Sequence, residues 1–89
     1  MFTKQIRKML TNDKADKLTY EEDSEMFTFV TLTNYSATWI AHHIESALEQ
    51  YEPELLEFYH STKSWKPKWV IIKFYLKNKG ELENGQGNS

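Results

Sequence analysis

The sequence predicts a small single α+β domain, ordered α-β-β-α-α-β, with helices packed on one face of a three-stranded sheet. Three observations carry this. Apolar residues recur at helical spacing near the start and again in the middle of the chain. Two stretches rich in aromatic and β-branched residues, 26–33 and 68–78, read as strands. The length of 89 residues fits one domain, here residues 1–79, followed by a flexible polar tail at 80–89 that contains all three glycines.

Each element has a local reason. Phe2, Ile6, Met9 and Leu10 form the stripe of a short amphipathic helix, and Thr11-Asn12-Asp13 supplies turn chemistry after it. Lys17–Tyr20 and Met26–Thr33 read as strands joined by the polar Glu21–Glu25, hence a hairpin. Met26, Thr28, Val30 and Leu32 share one face of the second strand, and Phe27, Phe29, Thr31 and Thr33 the other. Neither face is clearly polar, which predicts a strand at least partly covered on both sides.

Asn34 or Ser36 can cap the next helix, whose apolar stripe is Ile40, Ile44, Ala47, Leu48 and Tyr51. Pro53 suits the first turn of a further helix, Glu54 and Glu57 suit its positive end, and Leu55, Leu56, Phe58 and Tyr59 supply its buried side. In the last element Val70, Ile72, Phe74 and Leu76 form a wholly apolar face. Trp69, Ile71, Lys73, Tyr75 and Lys77 form a mixed one. The β-branched run Val70-Ile71-Ile72 favours a strand, with a buried helix ending at Gly80 as the alternative. The expected core is Val30, Ile44, Leu48, Val70, Ile72 and Phe74.

Composition narrows the function. There is no cysteine, so thiolate catalysis, thiolate metal sites and disulfides are excluded, and a reducing cytoplasm is expected. Apolar runs are too short for a membrane helix, and the first residues have no apolar signal core. No nucleophile elbow, Walker loop or glycine-rich dinucleotide turn is present, so an enzyme is not expected. Adjacent His42 and His43 diverge on a helix and cannot form an i, i+4 metal pair; with His60 they read as partly buried, hydrogen-bonded side chains. Neither a cofactor nor a metal is predicted.

Charge is segregated along the chain despite a net charge of only −2. Residues 18–62 hold nine acids and no lysine or arginine, whereas 63–79 hold six lysines and no acid. Glu45, Glu49, Glu52, Glu54 and Glu57 are therefore the candidate acidic docking surface, suited to a basic or nucleic-acid-binding protein partner. Trp65, Lys66, Lys68, Trp69, Lys73, Tyr75 and Lys77 are the alternative: aromatics beside lysines are what single-stranded nucleic acid requires. That alternative holds only if the mixed face of the last strand is open. The oligomeric state is left open, a homodimer included.

Element order resembles that of a type II K-homology domain, which clamps single-stranded nucleic acid with a Gly-x-x-Gly loop between paired helices. The corresponding junction, Gln50-Tyr51-Glu52-Pro53-Glu54, has no glycine and two carboxylates that repel phosphate, so membership is not assigned. Size, absent motifs and abundant aromatics resemble small accessory or inhibitor proteins of bacteriophages and mobile elements. The expected function is a non-enzymatic accessory, inhibitor or regulator that docks on a protein partner.

Overall fold

A computed structural model describes residues 2–60 and 68–78. Helix α1 (Phe2–Leu10) leads through a loop to β1 (Lys17–Glu21) and β2 (Met26–Thr33). Helix α2 (Ala37–Ala47) and a 3₁₀ turn (Glu49–Tyr51) lead to β3 (Pro53–His60) and β4 (Lys68–Leu76). All neighbouring strands are antiparallel, in the order β1-β2-β4-β3. The chain is thus two successive α-β-β units whose second strands, β2 and β4, pair at the centre of one sheet.

That central register decides which face is buried. Phe27 lies opposite Phe74, Phe29 opposite Ile72 and Thr31 opposite Val70, so the most apolar faces of both strands fall on one side. Both helices cover it. Ile6 and Leu10 of α1 and Ile40 and Ile44 of α2, with Leu48 and Tyr51, complete a single cluster with these strand residues. Phe27 and Phe74 stack with centroids 5.2 Å apart, and Tyr20 leans on Phe27 at 4.6 Å. Such pairs contribute ~0.5–1.5 kcal/mol each beyond their burial.

Polar side chains fix the helix ends and the loop after α1. Ser36 caps α2, its hydroxyl accepting from the Trp39 amide at 3.0 Å. The His43 ring meets the Leu10 carbonyl at 2.6 Å and so closes the end of α1. Arg7 donates to the Asp13 and Asp16 carbonyls, both at 2.9 Å, which fixes the loop after α1. The Thr31 hydroxyl donates to buried Asp16 at 2.8 Å, which satisfies a polar group among apolar neighbours.

Four expectations are corrected. The segment after Pro53 is strand β3, not a helix, so the sheet has four strands rather than three and the order is α-β-β-α-β-β. With that, the element order shared with K-homology domains is gone. The reason lies in β4, an apolar strand whose backbone groups need partners on both sides; β3 supplies them along Pro53–His60. Glu52, in the left-handed region at φ 50°, turns the chain out of helical direction just before it. The ladder even runs past the strand ends, with Lys77 and Asn78 amides donating to the Glu52 and Tyr51 carbonyls at 3.1 Å.

The second correction concerns β2, which is covered on one side only: Leu32 is 47% exposed. Third, Val30 is therefore half-buried on the other side and does not belong to the core, whereas Ile44, Leu48, Val70, Ile72 and Phe74 do. Fourth, Met9 of the α1 stripe is exposed. The tail at 80–89 lies outside the described residues. No helix among those residues is long and apolar enough to cross a membrane.

Replacing Ile72, fully buried between β2 and β3, tests this core. Ile72→Ala should lower the unfolding free energy by ~2–5 kcal/mol in urea melts, through lost contacts and a cavity. Ile71→Ala, one residue along on the other face, should cost clearly less. Equal losses would mean that both faces are packed.

Candidate docking surface on the uncovered sheet face

The face opposite the helices is built from the alternate residues of all four strands. Cross-strand register orders it into rows. Leu32 lies beside Trp69. The next row runs Lys17, Val30, Ile71, Tyr59, and the one after it Thr19, Thr28, Lys73, Glu57. Glu21 beside Met26, and Tyr75 beside Glu54, complete the far end. Among the described residues no element lies over this face.

Its two ends differ in chemistry. At one, Leu32, Tyr59 and Trp69 are 47%, 52% and 48% exposed and flank half-buried Val30 and Ile71. An aromatic and aliphatic group of this kind, left in water, is what buried interface cores are made of. At the other end the charges are paired. Glu54 accepts from the Tyr75 hydroxyl at 2.7 Å and meets the Lys77 ammonium at 2.9 Å. Lys77, then Tyr75, hold the Glu54 carboxyl below the ordinary carboxylate value. In return Glu54 pushes the Tyr75 phenol and the Lys77 ammonium up. Glu57, bonded to the Tyr59 hydroxyl, likewise pushes that phenol up. A shallow depression of about 360 Å³, lined by Thr19, Tyr20, Glu21, Met26, Thr28 and Lys73, lies at this polar end.

The candidate acids are spread over α2, the 3₁₀ turn with the bend after it, and β3. Glu45 is on α2, where it pairs with His42 at 3.5 Å. Glu49 is in the 3₁₀ turn and Glu52 in the bend after it. Glu54 and Glu57 are on β3 and face away from the helices, as their partners Tyr75 and Lys73 do. Glu49, Glu52, Glu54 and Glu57 therefore line one border of the molecule, leading into and along the outer strand. Of the aromatic and lysine candidates, Trp69, Lys73 and Tyr75 share the uncovered face, and Lys77 follows at its rim. Trp65 and Lys66 lie outside the described residues, as does the side chain of Lys68.

Sequence reasoning passed over Leu32, Tyr59 and Ile71, which complete the apolar end of the face. Alternation along each strand marks them as face residues; which face stays bare is decided only when both helices fall on the other. It also passed over a column in which Tyr35 stacks on Trp39 at 4.2 Å and Trp39 on His43 at 5.8 Å. The i, i+4, i+8 spacing of these rings was readable. The hollow beside them measures about 200 Å³, less than the ~300–1,000 Å³ that small-molecule sites usually offer. Within the column only His43 is bonded to the end of α1, while Tyr35 and Trp39 stand about half exposed. Among the described residues no three His, Asp or Glu side chains cluster as metal ligands.

Comparison with protein-family profiles, with curated proteins and with solved structures gives no significant match.

Because folding lowers the Glu54 pKa, its contribution to stability is present above the ordinary carboxylate value and is lost as pH falls through the lowered one. The group is exposed, so the contribution is small. A carboxyl-carbon NMR titration should give Glu54 a midpoint below the ordinary carboxylate value, and Lys77→Gln should raise it. An unmoved midpoint in that variant would show the pair to be absent in solution.

Proposed function

We propose that the protein is a non-enzymatic binding module that docks on a protein partner through the uncovered sheet face. The observation that carries this is the apolar end of that face, where Leu32, Tyr59 and Trp69 stand about half exposed beside Val30 and Ile71. Interface energy is concentrated in a few central aromatic and aliphatic anchors, with a polar rim that excludes water. The paired charges of Glu54, Lys77 and Tyr75 suit such a rim. The acids Glu49, Glu52, Glu54 and Glu57 along one border favour a partner whose matching border is basic. Small size and the lack of any catalytic motif fit an accessory, inhibitory or regulatory role.

A second reading is favoured by one fact: Trp69, Lys73 and Tyr75 share this face, and stacked bases with lysine-bound phosphates need that arrangement. Lys73 lies opposite Glu57, however, and Lys77 is bonded to Glu54. Those carboxylates offset the attraction for phosphate, so the protein partner is the stronger reading.

The test is affinity capture from a lysate of the native host, with and without nuclease, using the unaltered chain and Tyr59→Ala/Trp69→Ala. The double variant should lose the captured protein, through a weakening of at least ~2 kcal/mol, about 30-fold. Its folding stability should change by no more than about 1 kcal/mol, since neither side chain is in the core. Retention of the same partner by the double variant would remove this face from consideration. Labelled single-stranded oligonucleotides should show no binding that fades steeply with salt. Such binding, lost in Lys73→Gln, would establish the nucleic-acid reading instead.

A further inference from the structure

Among the described residues strand β3 is an outer strand, so one row of its backbone amides and carbonyls faces outward. At eight residues it is longer than β1, the other outer strand, which has five. Natural outer strands are commonly blunted by lysine, by an internal proline, or by being short. Here the only proline is at the first position, and there is no lysine or arginine within the strand. Leu56 and Phe58 on it are each 48% exposed.

We propose that β3 receives an extended, basic segment of a partner protein as a fifth strand of the sheet. This rests on the partner being a protein, as proposed above, but uses the border of the sheet rather than its uncovered face. Register specifies what the incoming strand carries. Phe58 lies opposite Ile72 and Leu55 opposite Phe74, so both are on the helix side. Leu55 packs against the core, whereas Phe58 stands about half in water. Glu54 and Glu57 are on the other side, opposite Tyr75 and Lys73; Glu54 also meets Lys77, yet with Glu49 and Glu52 the border carries four carboxylates against the two ammoniums of Lys73 and Lys77. An added strand has its side chains level with those of β3. It therefore places apolar residues against Leu55 and Phe58, and lysine or arginine, two residues apart, against Glu54 and Glu57. Glu49 and Glu52 extend the same negative border toward the start of β3. The β-bulge between Leu55 and Glu57 sets Leu56 out of the alternation, which leaves one apolar contact that no regular strand would make.

Charge also decides against the simplest rival occupant, a second copy of this chain. Pairing β3 with itself brings a strand whose only formal charges are carboxylates, from Glu54 and Glu57, against an identical one. Like charges across neighbouring strands are destabilising. The same acids that recruit a basic strand thus keep the protein from pairing with itself at this edge.

The test uses the full chain labelled with nitrogen-15 and a synthetic peptide alternating lysine with valine, acetylated and amidated at its ends. Binding should shift the amides of Glu54–His60 and slow their hydrogen exchange by about tenfold or more, since outward amides gain partners. The affinity should fall as salt rises. Glu57→Lys should weaken it about tenfold, while Glu22→Lys, the same charge change on the exposed turn between β1 and β2, leaves it unchanged. A peptide with glutamate in place of lysine should have no effect, a control that leaves the protein unaltered. The proposal is overturned by any of four results: no response at millimolar peptide, an equal response to the glutamate peptide, shifts confined to Leu32, Ile71 and Trp69, or concentration-dependent protection of β3 without peptide. Shifts confined to Leu32, Ile71 and Trp69 would place the peptide on the uncovered face instead; the other three outcomes leave that face, whose role is read from Tyr59 and Trp69, untouched.

Discussion

The antiparallel pairing of β2 with β4 is the constraint on which the rest of the molecule depends. It joins two α-β-β units through the strands richest in apolar residues. The register sets Phe27 against Phe74 and Phe29 against Ile72. Once these four are on the same side, both helices have only that side to cover. The other side is left to side chains that alternate with the core: Val30, Leu32, Trp69, Ile71, Lys73 and Tyr75. A slip by one residue would exchange the two sets, exposing phenylalanine and burying lysine. The uncovered face is thus the unavoidable reverse of the core.

Much of this was legible because the relevant patterns are local. The hairpin of β1 and β2, the stripe of α2 and the alternation of β4 all follow from residues close in sequence. Strand β3 was not legible, for a definite reason. Its apolar residues Leu55, Leu56, Phe58 and Tyr59 are spaced i, i+1, i+3, i+4, which is a helical pattern. The bulge between Leu55 and Glu57 produces that spacing by inserting a residue into a period-two strand. Pro53 deepened the ambiguity, since proline begins helices and outer strands alike. What resolves it is the need of β4 for a second neighbour, a long-range requirement without a local signature. The same holds for the candidate site. Alternation separates the two faces of β4, but the bare face is known only once α1 is seen beside α2.

The distribution of charge takes on a different meaning in three dimensions. Along the chain, acids and lysines form separate blocks. In the fold, the block of acids passes from α2 through the 3₁₀ turn into β3, and β3 pairs with lysine-bearing β4. Glu54 meets Lys77 and Glu57 lies opposite Lys73. The uncovered face is therefore balanced in charge near its polar end, while Glu49 and Glu52, leading into β3, add an acidic surplus at its border. A balanced face with an apolar patch suits a protein surface better than a polyanion. This is why the lysine-rich last strand, for all its aromatics, is proposed as part of a protein-docking surface.

The central claim is that one sheet face is packed and the other bare, and methyl NMR with a soluble gadolinium chelate reads it directly. The account predicts strong paramagnetic broadening of the Leu32 methyls, 47% exposed as a residue, and weaker but clear broadening at half-buried Ile71. Ile6, Ile44 and Ile72, all fully buried, should stay sharp under the same conditions. If Leu32 and Ile71 were as protected as Ile72, the reverse of the sheet would be covered, and the proposed docking surface would not exist.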